Sequence, residues 1–257
     1  MGKPASRQTG CIVKRKTILA LLLCSLALLA WRATATQAAD PSVDDILARY
    51  VTALGGRAAI SKFTTRTSKG TLELVGVTTD GTAESYAKAP NKYLSIINIP
   101  GYGEIRRGFD GQAGWVSGPD TGIQSLAGQD LTSTRRDADF YQSLDVKKLY
   151  PQMTFKGKED VGAWPAFVVE ANSGDGTVRR MYFDVSSGLL IRNVEETDTP
   201  QGRDTVESFL EDYREVEGVK QPYTVRQIHG KITFIVRITE VKINQPIDDA
   251  KFAKPAQ

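Results

Sequence analysis

From Thr67 to Ile243 the chain repeats one pattern: short runs in which apolar and polar residues alternate, each closed by residues suited to tight reversal. A period of two sends successive side chains to opposite faces, so these runs read as strands. Thr71-Leu72-Glu73-Leu74-Val75 alternates, a turn is expected near Thr79-Asp80-Gly81, and a second run covers Thr82 to Lys88. Ala89-Pro90-Asn91 breaks the chain before Lys92–Ile99, and Pro100-Gly101 ends that strand. Asp110-Gly111, between Glu104–Phe109 and Ala113–Ser117, is a hairpin signal. Further strands are expected near Thr154–Val161, Ala166–Ala171, Val178–Asp184, Leu189–Glu196, Thr205–Val216, Pro222–His229 and Lys231–Ile243. Turns fall at Gly174-Asp175-Gly176, Ser186-Ser187-Gly188, Pro200-Gln201-Gly202, Glu217-Gly218 and His229-Gly230. Their close spacing favours one extended antiparallel sheet over alternating βαβ units.

One helix precedes this pattern and a second interrupts it. Ser42 can cap the first, with Asp45 in capping-box position and Asp44 favouring the positive helix end. Ile46, Leu47, Tyr50, Val51 and Leu54 share one face, and Gly55-Gly56 ends the helix; a short turn of helix over Arg57 to Ser61 follows. The second helix is expected over Gly128 to Leu144, with Leu131, Phe140, Tyr141 and Leu144 as its buried contacts. So thin a stripe fits a helix lying across an opening, and fits a plain surface helix equally well. Arg135-Arg136 with Asp137 and Asp139 reads as an exposed, locally paired face.

The first 39 residues are of another kind. Lys14-Arg15-Lys16 precede fifteen uncharged residues, Thr17 to Trp31, and Ala33-Thr34-Ala35 or Thr36-Gln37-Ala38 offers a cleavage site. This is the layout of a secretory signal peptide. The alternative is a retained inner-membrane anchor facing the periplasm, but fifteen helical residues span only ~22 Å of a ~30 Å hydrocarbon core. Residues 1–39 hold six basic side chains (Lys3, Arg7, Lys14, Arg15, Lys16, Arg32) and no acid. The whole chain is +3, yet residues 40–257 carry 27 basic against 30 acidic side chains, a net of −3. That balance gives nucleic-acid binding no electrostatic footing. Both cysteines, Cys11 and Cys24, also lie in this segment, so residues 40–257 must cohere without a disulfide as one domain.

Catalytic signatures are not found. His229 is the single histidine, expected as an exposed turn residue, so metal sites built from several histidines or Cys/His clusters are excluded. There is no G-x-S-x-G elbow. Glu195-Glu196, Glu211-Asp212 and Asp248-Asp249 are adjacent pairs whose members point to opposite faces of a strand. Neither a metal nor a cofactor is expected.

The strands are apolar on both parities. Tyr93, Ile97 and Ile99 alternate with Leu94 and Ile96, and Ile232, Phe234, Val236 and Ile238 share a parity opposite to Ile235, Val241 and Ile243. A sheet with one wet face would alternate cleanly. Burial on both sides, a bulge or an apolar concavity each accounts for this.

The order of elements resembles the LolA/LolB/LppX-like family of bacterial envelope proteins. The segments DDILARYVTALGGRAAI, SKGTLEL, YAKAPNKYLSIINIPGYGEIRRGFDGQAGW, RRDADFYQSLDVKKLYP and YFDVSSGLLIR resemble its outer-membrane lipoprotein-sorting-like domains, over about residues 42–254. The resemblance implies an α+β fold, mainly antiparallel β: a half-open curved sheet, or incomplete barrel, closed by helices around a hydrophobic cavity that shields acyl chains. In LolA an arginine tethers the lid to carbonyls; Arg66, Arg106 and Arg107 are candidates for its equivalent, and none is assigned.

The expectation is therefore a non-enzymatic, monomeric periplasmic carrier for a lipid acyl chain or lipoprotein, with envelope membrane proteins as further candidate partners. The alternative is an envelope interaction or scaffold module with a filled half-barrel. Leu72, Leu74, Tyr86, Leu94, Ile96, Trp115, Phe209, Phe234, Val236 and Ile238 are expected to line the cavity, with Leu131 and Phe140 on the lid.

Overall fold

The computed structural model describes residues 40–77, 80–199 and 202–256, together with Gly2. Residues 1–39, read from sequence as a signal peptide and holding both cysteines, fall outside the described residues apart from Gly2, as do Thr79 of one expected turn and Pro200-Gln201 of another.

Among the described residues thirteen strands form one antiparallel sheet in the order β6-β5-β4-β3-β2-β1-β13-β12-β11-β10-β9-β8-β7. Every spatial neighbour is also a sequence neighbour except β1 (Thr65–Leu74) and β13 (Ile232–Ile243), which join the two halves through registers such as Leu72 opposite Val236. The first half runs β2 (Asp80–Lys88), β3 (Lys92–Ile99), β4 (Gly103–Phe109), β5 (Gly114–Gly118) and β6 (Gly122–Ser125). The second runs β7 (Gln152–Val161), β8 (Trp164–Asn172), β9 (Thr177–Asp184), β10 (Leu190–Thr199), β11 (Gly202–Val216) and β12 (Val219–His229). β6 and β7 remain unpaired edges, so the sheet is curved but not closed. This is the half-open, mainly antiparallel α+β architecture anticipated from the sequence.

Helix α1 (Val43–Ala53) begins with the expected capping box: the Asp45 amide donates to Ser42 Oγ, and the Ser42 amide donates to Asp45 Oδ2, both at 3.1 Å. It ends at Gly55 (φ 119°), where a Cβ would fall 2.0 Å from the Gly218 carbonyl oxygen, so the chain can pass there only as glycine. A one-turn helix α2 (Arg57–Ile60) follows. Ile46 of α1 packs with Phe167, Val169, Ala171, Met181 and Phe183 of β8 and β9. Leu54, Ile60 and Phe63 pack with Leu189, Val219 and Ile243 in a second cluster.

The expected helix over Gly128–Leu144 is shorter than its expected range, and a separate turn of helix follows beyond it. α3 (Gly128–Asp137) stops at Ala138, irregular turns follow, and α4 (Val146–Leu149) completes the connection to β7. The polar face of α3 also departs from expectation. Arg136 is 8% exposed and reaches Asp175 in the β8–β9 turn, because a partner across the gap outweighs hydration of an otherwise exposed guanidinium. The four-residue edge strand β6 was not anticipated; Ile123 is its one large apolar residue.

Candidate functional site: a cavity between the helices and the sheet

Cross-strand register assigns each strand residue to a face. Arg66, Ser68 and Leu72 of β1 stand opposite Ala87, Ser85 and Gly81 of β2. The same face continues through Tyr93, Ser95 and Ile97 of β3, and through Ile243, Val241, Ile238, Val236 and Phe234 of β13. Followed across β12 to β8, it collects Val225, Leu210, Asn193, Met181 and Val169. This is the face on which α1 lies.

A cavity of about 300 Å³ opens on that face where the two core clusters meet. Tyr50 and Leu54 of α1 with Ile60 of α2 form one wall, and Met181, Phe183, Leu190 and Leu210 of the sheet form another. Phe140, Gln142 and Ser143 of the α3–α4 connection cover it, together with Val146 and Leu149 of α4. That cover is tethered at three points. The Phe140 amide donates to the Pro90 carbonyl at 3.0 Å, Tyr141 Oη donates to the Phe63 carbonyl at 2.8 Å, and Arg57 Nη2 donates to the Leu144 carbonyl at 3.2 Å.

The cavity is mostly apolar but carries a sparse polar lining. Tyr150 Oη, Asn193 Oδ1 and Gln221 Nε2 are buried without a hydrogen-bond partner among the described residues. Tyr213 Oη, by contrast, donates to the Leu190 carbonyl at 2.7 Å. Burial pushes the phenols of Tyr50 and Tyr150 up to about 12 and that of Tyr213 well above its usual value, so all three stay neutral at any physiological pH. Two arginines enter the lining. Arg179 donates from Nε to Glu195 Oε2 at 2.7 Å and lies 4.0 Å from Asp137. Among the described residues Arg66 is paired with no carboxylate: burial lowers its pKa, and the groups that act on it electrostatically are the phenols of Tyr93 and Tyr50. Of the other latch candidates, Arg106 pairs with Glu104, and Arg107 lies 3.8 Å from Asp130 on α3.

The ten residues singled out from sequence divide evenly between the faces. Leu72, Leu74, Phe234, Val236 and Ile238 stand on the helix-bearing face, along β1 and β13, but do not border the 300 Å³ cavity. Tyr86, Leu94, Ile96, Trp115 and Phe209 point the other way. Four of these five pack beneath a C-terminal 3-10 turn (Asp249–Phe252), where Trp115 Nε1 donates to the Phe252 carbonyl at 2.9 Å. Phe209 lies between the guanidinium groups of Arg192 and Arg226. The physical reason is that β3 is apolar on both sides: parity separates Leu94 from Tyr93 but does not say which is concave. Leu131 rests against Gly114, and Phe140 borders the cavity from just beyond the end of α3.

Elsewhere the polar chemistry is dispersed. His229 Nε2 lies 2.8 Å from Asp204, both half-exposed. Glu195 and Glu196 take opposite faces, pairing with Arg179 and Arg180 respectively. Among the described residues no group of three or more His, Cys, Asp or Glu side chains is placed to hold a metal, and no helix is long and apolar enough to cross a membrane.

No protein-family model and no curated protein sequence matches the chain. Solved structures do. A LolA superfamily protein from Nitrosomonas europaea superposes with a TM-score of 0.56 at 14% identity, covering 84% of this chain and 99% of that one. A DUF1329 family protein from Desulfovibrio piger gives 0.56 at 13% identity, over 83% and 98% of the two chains. A domain from Vibrio parahaemolyticus described as outer membrane lipoprotein-sorting gives 0.52 at 9% identity, over 74% and 90%. Together with the open thirteen-strand sheet, these likenesses define the class: the chain has a LolA-like fold.

Proposed function

We propose that the protein is an exported carrier that shelters one acyl chain, of a lipid or a lipidated protein, in the cavity beneath α1 and α4, and that it performs no covalent chemistry. The observation that carries this reading is the hollow itself: about 300 Å³ left open where two apolar clusters would otherwise close on each other. Close packing is the rule in protein interiors, so an apolar void of this size is more consistent with a site than with a core. At ~30 Å³ for a water-sized group, it takes on the order of ten methylenes, enough for one chain and too little for three. Burial at ~0.8 kcal/mol per methylene then supplies roughly 8 kcal/mol before the cost of ordering the chain. The uncharged run from Thr17 to Trp31 supports placing this activity in the periplasm.

The continuous apolar face formed by Leu72, Leu74, Phe234, Val236 and Ile238 extends the surface available to a longer chain, and Leu131 and Phe140 belong to the cover. Mass spectrometry of lipid extracted from gently purified protein tests the proposal. Lipid present near one equivalent supports it; its absence, together with failure to take up a fluorescent fatty acid, refutes it.

A further inference from the structure

The polar groups in the cavity say which kind of chain it holds. We propose that the cavity selects a single-chain amphiphile with an anionic head, a carboxylate of the fatty-acid type, whose charge is met by Arg66. The inference rests on the carrier reading and sharpens it.

Arg66 of β1 lines the cavity and has no counter-ion among the described residues. Other arginines on this side of the protein are matched: Arg179 with Glu195, Arg136 with Asp175, and Arg107 with Asp130. Arg66 is partly exposed to the cavity, and a cation partly withdrawn from water without a partner is disfavoured there, so an anion seated beside it is favoured. The neighbouring Tyr50 and Tyr93 are neutral phenols and cannot supply the missing charge. Around the same hollow, Gln221 Nε2 offers an unused donor, Tyr150 Oη a hydroxyl free to donate or accept, and Asn193 Oδ1 a lone acceptor. Donors outnumber acceptors, and they surround an otherwise apolar space. A carboxylate presents two oxygens with about four lone-pair directions and can take a guanidinium in bidentate fashion. A fatty alcohol or ester offers no charge, and in a hollow of about 300 Å³ one chain already takes the available space, so a second chain has no place beside it.

The test is displacement of the neutral dye N-phenyl-1-naphthylamine from the purified full chain by palmitate, hexadecanol and hexadecyl phosphate. Palmitate is expected to displace the dye at a concentration at least about tenfold lower than hexadecanol, the scale of one charge-assisted contact. In Arg66→Met that ratio is expected to fall below about twofold, and in Arg66→Lys, which keeps the charge, to remain above it. Equal displacement by palmitate and hexadecanol in the unmodified protein overturns the inference while leaving the carrier standing, and this comparison needs no variant to fold. A ratio unchanged in Arg66→Met overturns the role of Arg66. Hexadecyl phosphate displacing at tenfold lower concentration than palmitate overturns the carboxylate assignment. Failure of all three ligands and the dye to bind removes the carrier reading itself.

Discussion

Arg136 Nη1 donates to Asp175 Oδ2 at 2.5 Å, and this contact spans the one gap in the sheet. Arg136 belongs to α3, which follows edge strand β6; Asp175 sits in the turn joining β8 and β9, beside the opposite edge. The other flank of α3 meets β4 and β5, where Leu131 lies on Gly114, Arg135 stacks over Phe109 and Asp130 faces Arg107. α3 is thus a strap holding the two ends of an open barrel. Arg136→Ala removes a buried guanidinium and the donor to Asp175 Oδ2, and is expected to lower stability by about 2–3 kcal/mol in urea unfolding. An unchanged midpoint would mean the gap is held by other contacts.

Acid should act on the same strap. Burial pushes the Asp175 carboxyl up, but hydrogen bonds from Ser173, Arg136 and the Thr177 amide, with the Arg136 charge, bring it down to about 2. A carboxyl whose folded pKa lies below its unfolded value stabilises the fold above the unfolded value and loses that contribution as pH falls through the folded one. Stability is therefore expected to drop between about pH 4 and pH 2, and Asp175→Asn should flatten that limb. Asp249, held near 2 by Lys88 and Lys92, titrates in the same range, so Asp249→Asn is the necessary comparison.

Two tyrosines in the cavity separate a satisfied hydroxyl from an unsatisfied one. Tyr213→Phe removes a donor from the Leu190 carbonyl and is expected to cost about 1–2 kcal/mol. Tyr150→Phe removes a hydroxyl that has no partner among the described residues, and is expected to be neutral or slightly stabilising in the ligand-free protein. Equal costs in chemical denaturation would contradict this assignment of hydrogen bonds.

Filling the hollow should block it without unfolding the protein. Met181→Trp places a larger ring in the cavity wall at an overpacking cost of about 1–3 kcal/mol, and is expected to weaken fatty-acid uptake by at least about tenfold. Uptake as strong as in the unmodified protein would place the ligand elsewhere.

The C-terminal turn covers the other face. Phe252 is fully buried and its carbonyl accepts from Trp115, itself 2% exposed, whereas Trp164 is 62% exposed. Phe252→Ala is expected to cost about 3–4 kcal/mol and to shift the Trp115 emission to the red. Emission unchanged from the unmodified protein would show that Trp115 is shielded without the turn.

Much of the fold is legible where the signal is local. The Ser42–Asp45 capping box, the Asp110-Gly111 turn and the opposite faces of Glu195 and Glu196 all follow from residues a few positions apart. At the Asp110-Gly111 turn the Asp110 carboxylate accepts from the amides of Gln112 and Ala113. Long-range relationships are not legible in this way. Leu94 and Trp115 read as cavity residues because nothing near them in sequence reveals that Phe252 arrives to cover them. Arg136 reads as solvated because its partner lies 39 positions away. The end of α3 at Asp137 carries no glycine or proline to mark it, and β6 is too short and too polar for its period to stand out. Arg66 could be seen only as one of three candidate latches, since its distinction is that it has no carboxylate partner among the described residues of the fold.

Titrating the protein, labelled at its methionine and leucine methyl groups, with palmitate and following the spectrum tests the central claim most directly. The account predicts saturable, one-to-one shifts concentrated at Met181, Leu149, Leu190 and Leu210, which border the cavity. Saturation without change at the methyl groups of these four residues, or no saturable change at all, would contradict it.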